Sequence, residues 1–268
     1  MLKYLSQRWD IIKPKDLNLN PFHFELSHPS GQLSALFQGI WAAKVTSQSD
    51  VIRKPLHCDA GSGLMFNFSG KVQVGEQILP RGVILLPVSN VTQHITFGAD
   101  TRLAGVRFHP AIGFGLLGSH VEKHQRLEES EDNQFHLYSL FHSLDKEPSV
   151  KGQIALLNKW AKTYLDLSVV LPHSLDNALE SIRQGHPVGD LSTVATLSQR
   201  QIERLFKLWL GMTPKAYQRL IRVKHVIDYL KHNSGANLAD VAVQFGFSDQ
   251  AHMTREFSAI ARTTPGKL

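Results

Sequence analysis

The stretch Leu238-Ala-Asp-Val-Ala-Val-Gln-Phe-Gly-Phe-Ser-Asp-Gln250 decides how the last third of this chain folds. Leu238, Val241, Ala242 and Phe245 fall at i, i+3, i+4 and i+7, one face of a helix that Asn237 caps. Gly246 then supplies a left-handed turn, since a residue without Cβ enters that region at little steric cost. Ser248 or Asp249 caps a second helix with Met253, Phe257 and Ile260 inward, which leaves Gln250, Ala251, Thr254 and Arg255 on its outer face. A short amphipathic helix, a tight turn and a helix with a polar outer stripe make a helix-turn-helix.

The same construction occurs 50 residues upstream, from Ser198 as from Ser248. Pro187, at a first helical position, opens a helix through Val188, Leu191 and Ala195, and Ser198-Gln-Arg-Gln201 has the spacing of a capping box. Ile202, Leu205, Phe206 and Trp209 share the buried side of the helix that follows, so Gln199, Arg200, Glu203, Arg204 and Lys207 share the outer side. Such a stripe suits a DNA major groove, where Arg pairs bidentately with guanine and Gln with adenine. Arg204 and Arg255 occupy matching places and lead the candidates for base or phosphate contact. Ser198 belongs to the same candidate set, more as a cap than as a base reader. Gly211-Met-Thr-Pro214 ends the first unit and starts a long helix with Tyr217, Leu220, Val223, Ile227 and Leu230 inward, stopped at Asn233-Ser-Gly235. Ahead of both units, Ser174 is read as the cap of a helix with Leu175, Ala178, Leu179 and Ile182 inward and Gly185 at its end.

From roughly Ser174 to Pro265 these residues resemble the AraC/XylS family of bacterial transcriptional regulators. Leu238 to Gln250, Arg255, Phe257 and the paired Thr213-Pro214 and Thr264-Pro265 carry the likeness. The chain departs from the family pattern at Ser192 and Thr196, where Ala and Gly are usual, at Met253, and at Ala261-Arg262, in place of an aromatic-Gly pair. The resemblance implies double-stranded DNA as partner, RNA polymerase as a second partner if the chain activates, and an N-terminal domain that binds a small-molecule effector, mediates a homodimer, or both.

Residues 1–125 read as β-rich. Leu33 to Val45 alternate, Leu64, Phe66 and Phe68 form a hairpin with Val72 and Val74 through Ser69-Gly70-Lys71, and Val83–Leu86, Val91–Phe97 and Arg102–Phe108 continue the series. Strands of this length and spacing point to a cupin-like barrel or a sandwich, with room for one small ligand in a barrel. Gly105-Val-Arg-Phe-His-Pro110 resembles one group of family sensor domains. Residues 126–171 read as a helical linker; its stripe Ile154, Leu157, Ala161 and Leu165 is a candidate dimerisation surface, and Val169-Val170-Leu171 before Pro172 marks its end. Residues 172–268 are the DNA-binding domain. The fold class is therefore α+β: a β-rich sensor, helical segments, and an all-α domain with two helix-turn-helix units.

Composition agrees with this division. The net charge is +6, and residues 185–268 hold 11 Lys/Arg against 6 Asp/Glu whereas residues 1–184 hold 18 against 17. A basic surplus confined to the last third favours a polyanion there. No apolar run approaches the ~20 residues of a membrane span, and the N-terminus lacks the pattern of a signal peptide, which predicts a cytoplasmic protein with no membrane partner. One cysteine, Cys58, excludes a disulfide framework. His120-Val-Glu-Lys-His124 has the wrong order for a zinc-peptidase helix, and no nucleophile elbow or phosphate loop occurs, so no enzyme, metal or cofactor is called for. The alternatives are a small-molecule enzyme on the β domain and a non-specific architectural DNA-binding protein.

Overall fold

The computed structural model describes residues 22–46, 51–70, 72–132, 134–166 and 171–268. The N-terminal segment, Lys71 and Val169-Val170 lie outside these. The β strands are β1 Phe22–Ser27, β2 Phe37–Val45, β3 Ile52–Leu56, β4 Gly63–Asn67, β5 Val72–Val74, β6 Gln77–Leu79, β7 Gly82–Leu86, β8 Gln93–Phe97, β9 Arg102–Phe108 and β10 Gln125–Arg126. The helices are α1 Ile112–Leu117, α2 Leu137–Lys146, α3 Val150–Tyr164, α4 His173–Arg183, α5 Leu191–Ala195, α6 Gln199–Leu210, α7 Pro214–His232, α8 Leu238–Gln244 and α9 Gln250–Ala261.

The strands form two antiparallel sheets, one of six strands in the order β1-β2-β9-β4-β7-β10 and one of four in the order β3-β8-β5-β6. Between them pack Met65, Ile84 and Leu103 from the first and Val72, Leu79 and Phe97 from the second. The other face of the larger sheet buries Phe37, Ile40, Ala42, Phe66 and Val106 under α2 and α3. The larger sheet is thus covered on both sides, which is why β4 reads as an unbroken buried run instead of an alternation.

Three strand expectations are corrected. The hairpin across Ser69-Gly70 does not form: β4 pairs with β7 and β9, and β5 with β6 and β8. Asn67 is the cause. Its Oδ1 accepts from the backbone N–H groups of Ser69 at 3.2 Å and Gly70 at 3.1 Å, and its Nδ2 donates to the carbonyls of Leu79 at 3.1 Å and Pro80 at 3.0 Å. This buried side-chain turn sends the chain from one sheet to the other. Leu33 and Ala35, expected in a strand, lie in a 3-10 turn, Gly31–Ala35. The later alternation is split by a bulge between Phe37 and Gly39. One extra residue reverses the faces, so Phe37 joins Ile40 and Ala42 under α3 while Ala43 and Val45 face the second sheet.

Ile154, Leu157, Ala161 and Leu165 are buried in the same core as the sheet and α2. The stripe offered as a dimerisation surface is therefore used within the chain. In the C-terminal region the helical stripes hold, with two changes at their starts: α4 begins at His173 after Pro172, which puts Ser174 inside the helix, and Pro187 precedes a 3-10 turn, Val188–Asp190, that leads into α5.

Candidate nucleic-acid interface

Each polar-faced helix is set by its own cap. Ser198 closes the predicted capping box on α6, its Oγ accepting from Gln201 N–H while Gln201 Oε1 accepts from Ser198 N–H at 2.9 Å. On α9 the cap is Asp249, whose Oδ1 accepts from His252 N–H at 2.7 Å, which decides between the two expected residues. Burying Ile202, Phe206 and Leu210 on one side of α6 leaves Gln199, Arg200, Glu203, Arg204 and Lys207 exposed, with Gln199 Nε2 donating to Glu203 Oε1 at 3.3 Å. Burying Met253, Phe257 and Ile260 in α9 leaves Gln250, Ala251 and Arg255 exposed and Thr254 half-buried. The chain thus brings each candidate set onto one outer face of one helix.

Both turns pass through the left-handed region. Gly246 has φ +72 between α8 and α9, and Thr196 has φ +53 between α5 and α6. At the far ends Gly211 has φ +70 after α6 and Arg262 has φ +57 after α9. The departures at Thr196 and at Ala261-Arg262 therefore keep the backbone geometry of a glycine on a residue that carries a Cβ.

Sequence reasoning missed what locks α9 in place. Glu256 is buried and receives Arg219 Nε and Arg222 Nη2, each at 2.9 Å, with His252 Nε2 at 3.5 Å. Arg222 also donates to the Gly246 carbonyl at 2.9 Å, and its guanidinium lies 4.5 Å from the centre of the Phe247 ring. The signal was available: Glu256 stands at i+3 from Met253, inside the apolar stripe.

The β-rich region holds both outer helices by their C-terminal carbonyls, groups that have no partner within a helix. His120 Nε2–H donates to the Leu208 carbonyl of α6 at 2.7 Å, and Thr92 N–H donates to the Ile260 carbonyl of α9 at 2.7 Å. Phe114 of α1 meets Trp209 edge-on at 5.2 Å. Cys58, Ala60 and Ala111 share a core with the C-terminal helices. Beside them, burial pushes the Asp59 carboxyl up, but the Arg107 guanidinium, 2.5 Å away, together with Lys224 and the Gly61 N–H, outweighs it and holds the group below its ordinary range. Burial, with Lys231 and His94 nearby, lowers His57 to about 4. Burial, with Arg183 nearby, lowers His109 to about 4. Burial and the Asp59 charge raise the Cys58 thiol to about 11, which makes it a poor nucleophile. Among the described residues no three His, Cys, Asp or Glu side chains gather as metal ligands, and no helix is long and apolar enough to cross a membrane.

Two capped helices with polar outer faces, each following a short helix and a left-handed turn, define a helix-turn-helix protein. Residues 191–268 match the family described as a helix-turn-helix domain. A probable transcription factor, PqrA of Proteus vulgaris, is 29% identical over 85 residues, which are 32% of this chain and 69% of that protein. Among solved structures, ToxT of Vibrio cholerae aligns over 92% of this chain and 97% of its own at 11% identity and a TM-score of 0.44. A ToxT structure with unsaturated fatty acid bound aligns over 93% and 95% at 10% identity and a TM-score of 0.41. Residues 191–268 are thus a helix-turn-helix domain, and the chain is a DNA-binding transcriptional regulator.

Proposed function

We propose that α6 and α9 each enter one of two successive major grooves of double-stranded DNA, about 34 Å apart along the duplex. The observation that carries this reading is the repeated construction on either side of α7: a capped helix whose exposed face holds Arg204 in one unit and Arg255 in the other. Ser198, Gln199, Arg200, Glu203, Arg204 and Lys207 are the contacts of the first unit, and Gln250, Ala251, Thr254 and Arg255 those of the second. The units 1–125, 126–171 and 172–268 then act as sensor, helical support and reader. A small-molecule effector bound in the N-terminal part shifts the population of readers able to meet both grooves. RNA polymerase is the further partner if the chain activates. A homodimer rests on the family resemblance. The setting is the cytoplasm, where bacterial DNA lies.

Footprinting on DNA flanking the chain's own coding region tests the reading. Protection of a discrete site spanning two adjacent major grooves is expected. Uniform, salt-sensitive binding without a protected site would instead mark an architectural protein.

A further inference from the structure

We infer that the effector site is a cavity on the flank of the β-rich region, outside the space between the two sheets, and that it takes a small molecule with an apolar body and a protonated amine. This inference rests on the regulator reading for its consequence, though not for the binding itself. The cavity has a volume of about 370 Å³. That lies within the range of small-molecule sites. Its apolar walls are Leu85 of β7, Leu117 at the end of α1, Val121, Leu127 and Phe135. Two of these walls are fixed from behind: Trp160 Nε1–H donates to the Phe135 carbonyl at 2.7 Å, and Tyr138 O–H donates to the Leu127 carbonyl at 2.5 Å. The space between the sheets, by contrast, is packed with Met65, Ile84, Leu79 and Phe97.

The polar side of the cavity determines the class of ligand. Glu131 and Asp132 line it, and among the described lining residues none is Lys or Arg. Asp132 uses Oδ2 to accept from Tyr138 N–H at 2.7 Å, while its Oδ1 is buried and has no partner. A carboxylate oxygen only accepts, and leaving one buried without a donor is costly. A turn of the Asp132 side chain toward the cavity would give Oδ1 a donor, and a cationic donor forms the stronger bond. An anionic ligand would face two carboxylates with no compensating cation.

The cavity also borders the reader. His120 lines it and donates to Leu208 of α6. Leu117, on the opposite end of α1 from its start at Ile112, lines it as well, and Phe114 of the same helix touches Trp209. An occupant therefore touches His120 directly, and through Leu117 it touches the helix that carries Phe114, the two groups that hold the C-terminal end of the first recognition helix.

Calorimetry on the full chain without DNA tests the site, using three probes that share one ring: tryptamine, the neutral alcohol tryptophol, and indole-3-acetate. Tryptamine should bind saturably and about tenfold or more tighter than indole-3-acetate. Asp132→Asn should bring the amine down to the level of tryptophol, and Val121→Trp, which sets a bulky ring on the apolar wall, should remove all binding. Equal or tighter binding of indole-3-acetate, binding that survives Val121→Trp, or no saturable binding of tryptamine below about 10 mM would overturn the assignment. Coupling is read separately, as the change in affinity for the footprinted site when tryptamine is added. A change that disappears in His120→Ala supports the route through Leu208, and an unchanged affinity overturns it. Because DNA binding by the free chain and amine binding by the free chain are measured apart, loss of either reading leaves the other standing.

Discussion

The two helix-turn-helix units share a backbone plan and are stabilised by different means. In the first, α6 is held by a capping box at its start and by His120 and Trp209 contacts with the β-rich region at its end. In the second, α9 has one capping carboxylate and is tied to α7 by the buried pair of Glu256 with Arg219 and Arg222. The glycines are crossed as well: the first unit has Thr196 in its turn and Gly211 at its end, the second Gly246 in its turn and Arg262 at its end. Geometry has been kept at all four places while chemistry has drifted. The first unit shows three cations outward, Arg200, Arg204 and Lys207, where the second shows Arg255. We expect the first to supply most of the base reading and the second to anchor the backbone.

The largest test breaks the second unit alone. Glu256→Ala leaves Arg222 half-enclosed without its carboxylate and should cost about 3 kcal/mol in denaturant unfolding, whereas Gln201→Ala in the first unit's capping box should cost about 1 kcal/mol. Equal losses would mean the two units are secured alike. Next in size, Arg204→Ala should weaken specific DNA binding by about 1 to 3 kcal/mol, with specificity relaxed at one or two base pairs. Arg255→Ala should cost less than about 1 kcal/mol and act equally on all sequences, reducing the salt slope by about one. The reverse order would overturn the division of labour.

A smaller effect of opposite sign is expected at the crossed glycines. Thr196→Gly and Arg262→Gly should each raise thermal stability by roughly 1 kcal/mol by relieving a left-handed backbone, and Gly246→Thr should lower it by a similar amount. Calorimetric unfolding of the three variants decides it. The gentlest perturbation is pH, which loosens the joint both units share. His57 and His109 sit near 4 in the folded chain against an ordinary 6.5. The unfolded chain therefore binds their protons first, so the stability they contribute is complete above about 6.5 and is lost as pH falls toward about 4. Melting temperature followed between those values should decline, and His109→Gln should flatten the decline.

The C-terminal region was legible because a helix writes its plan locally: stripes at Val241, Ala242 and Phe206, caps at Ser198 and Asn237, and stops at Gly211 and Gly246 all lie within a few residues of what they control. The strands of the β-rich region were also legible as strands, but their partners were not. Asn67 redirects the chain through hydrogen bonds to Leu79 and Pro80, which no alternation around Phe66 and Phe68 records. The stripe Ile154 to Leu165 announced a buried face without saying what buries it. At the site, the exposed sets on α6 and α9 followed from the stripes by elimination, whereas the Glu256 pair and the hydrogen bonds from His120 and Thr92 depend on residues far apart in sequence.

Those last two hydrogen bonds bear on the DNA as much as on the protein. Since Leu208 and Ile260 are both fastened to one β-rich body, α6 and α9 keep a fixed phase with respect to each other, and α7 is not the sole ruler between them. Under the proposed two-groove reading such a grip should make spacing part of the recognised sequence: one base pair inserted between the two half-sites turns the second groove by about a tenth of a helical turn and should weaken binding.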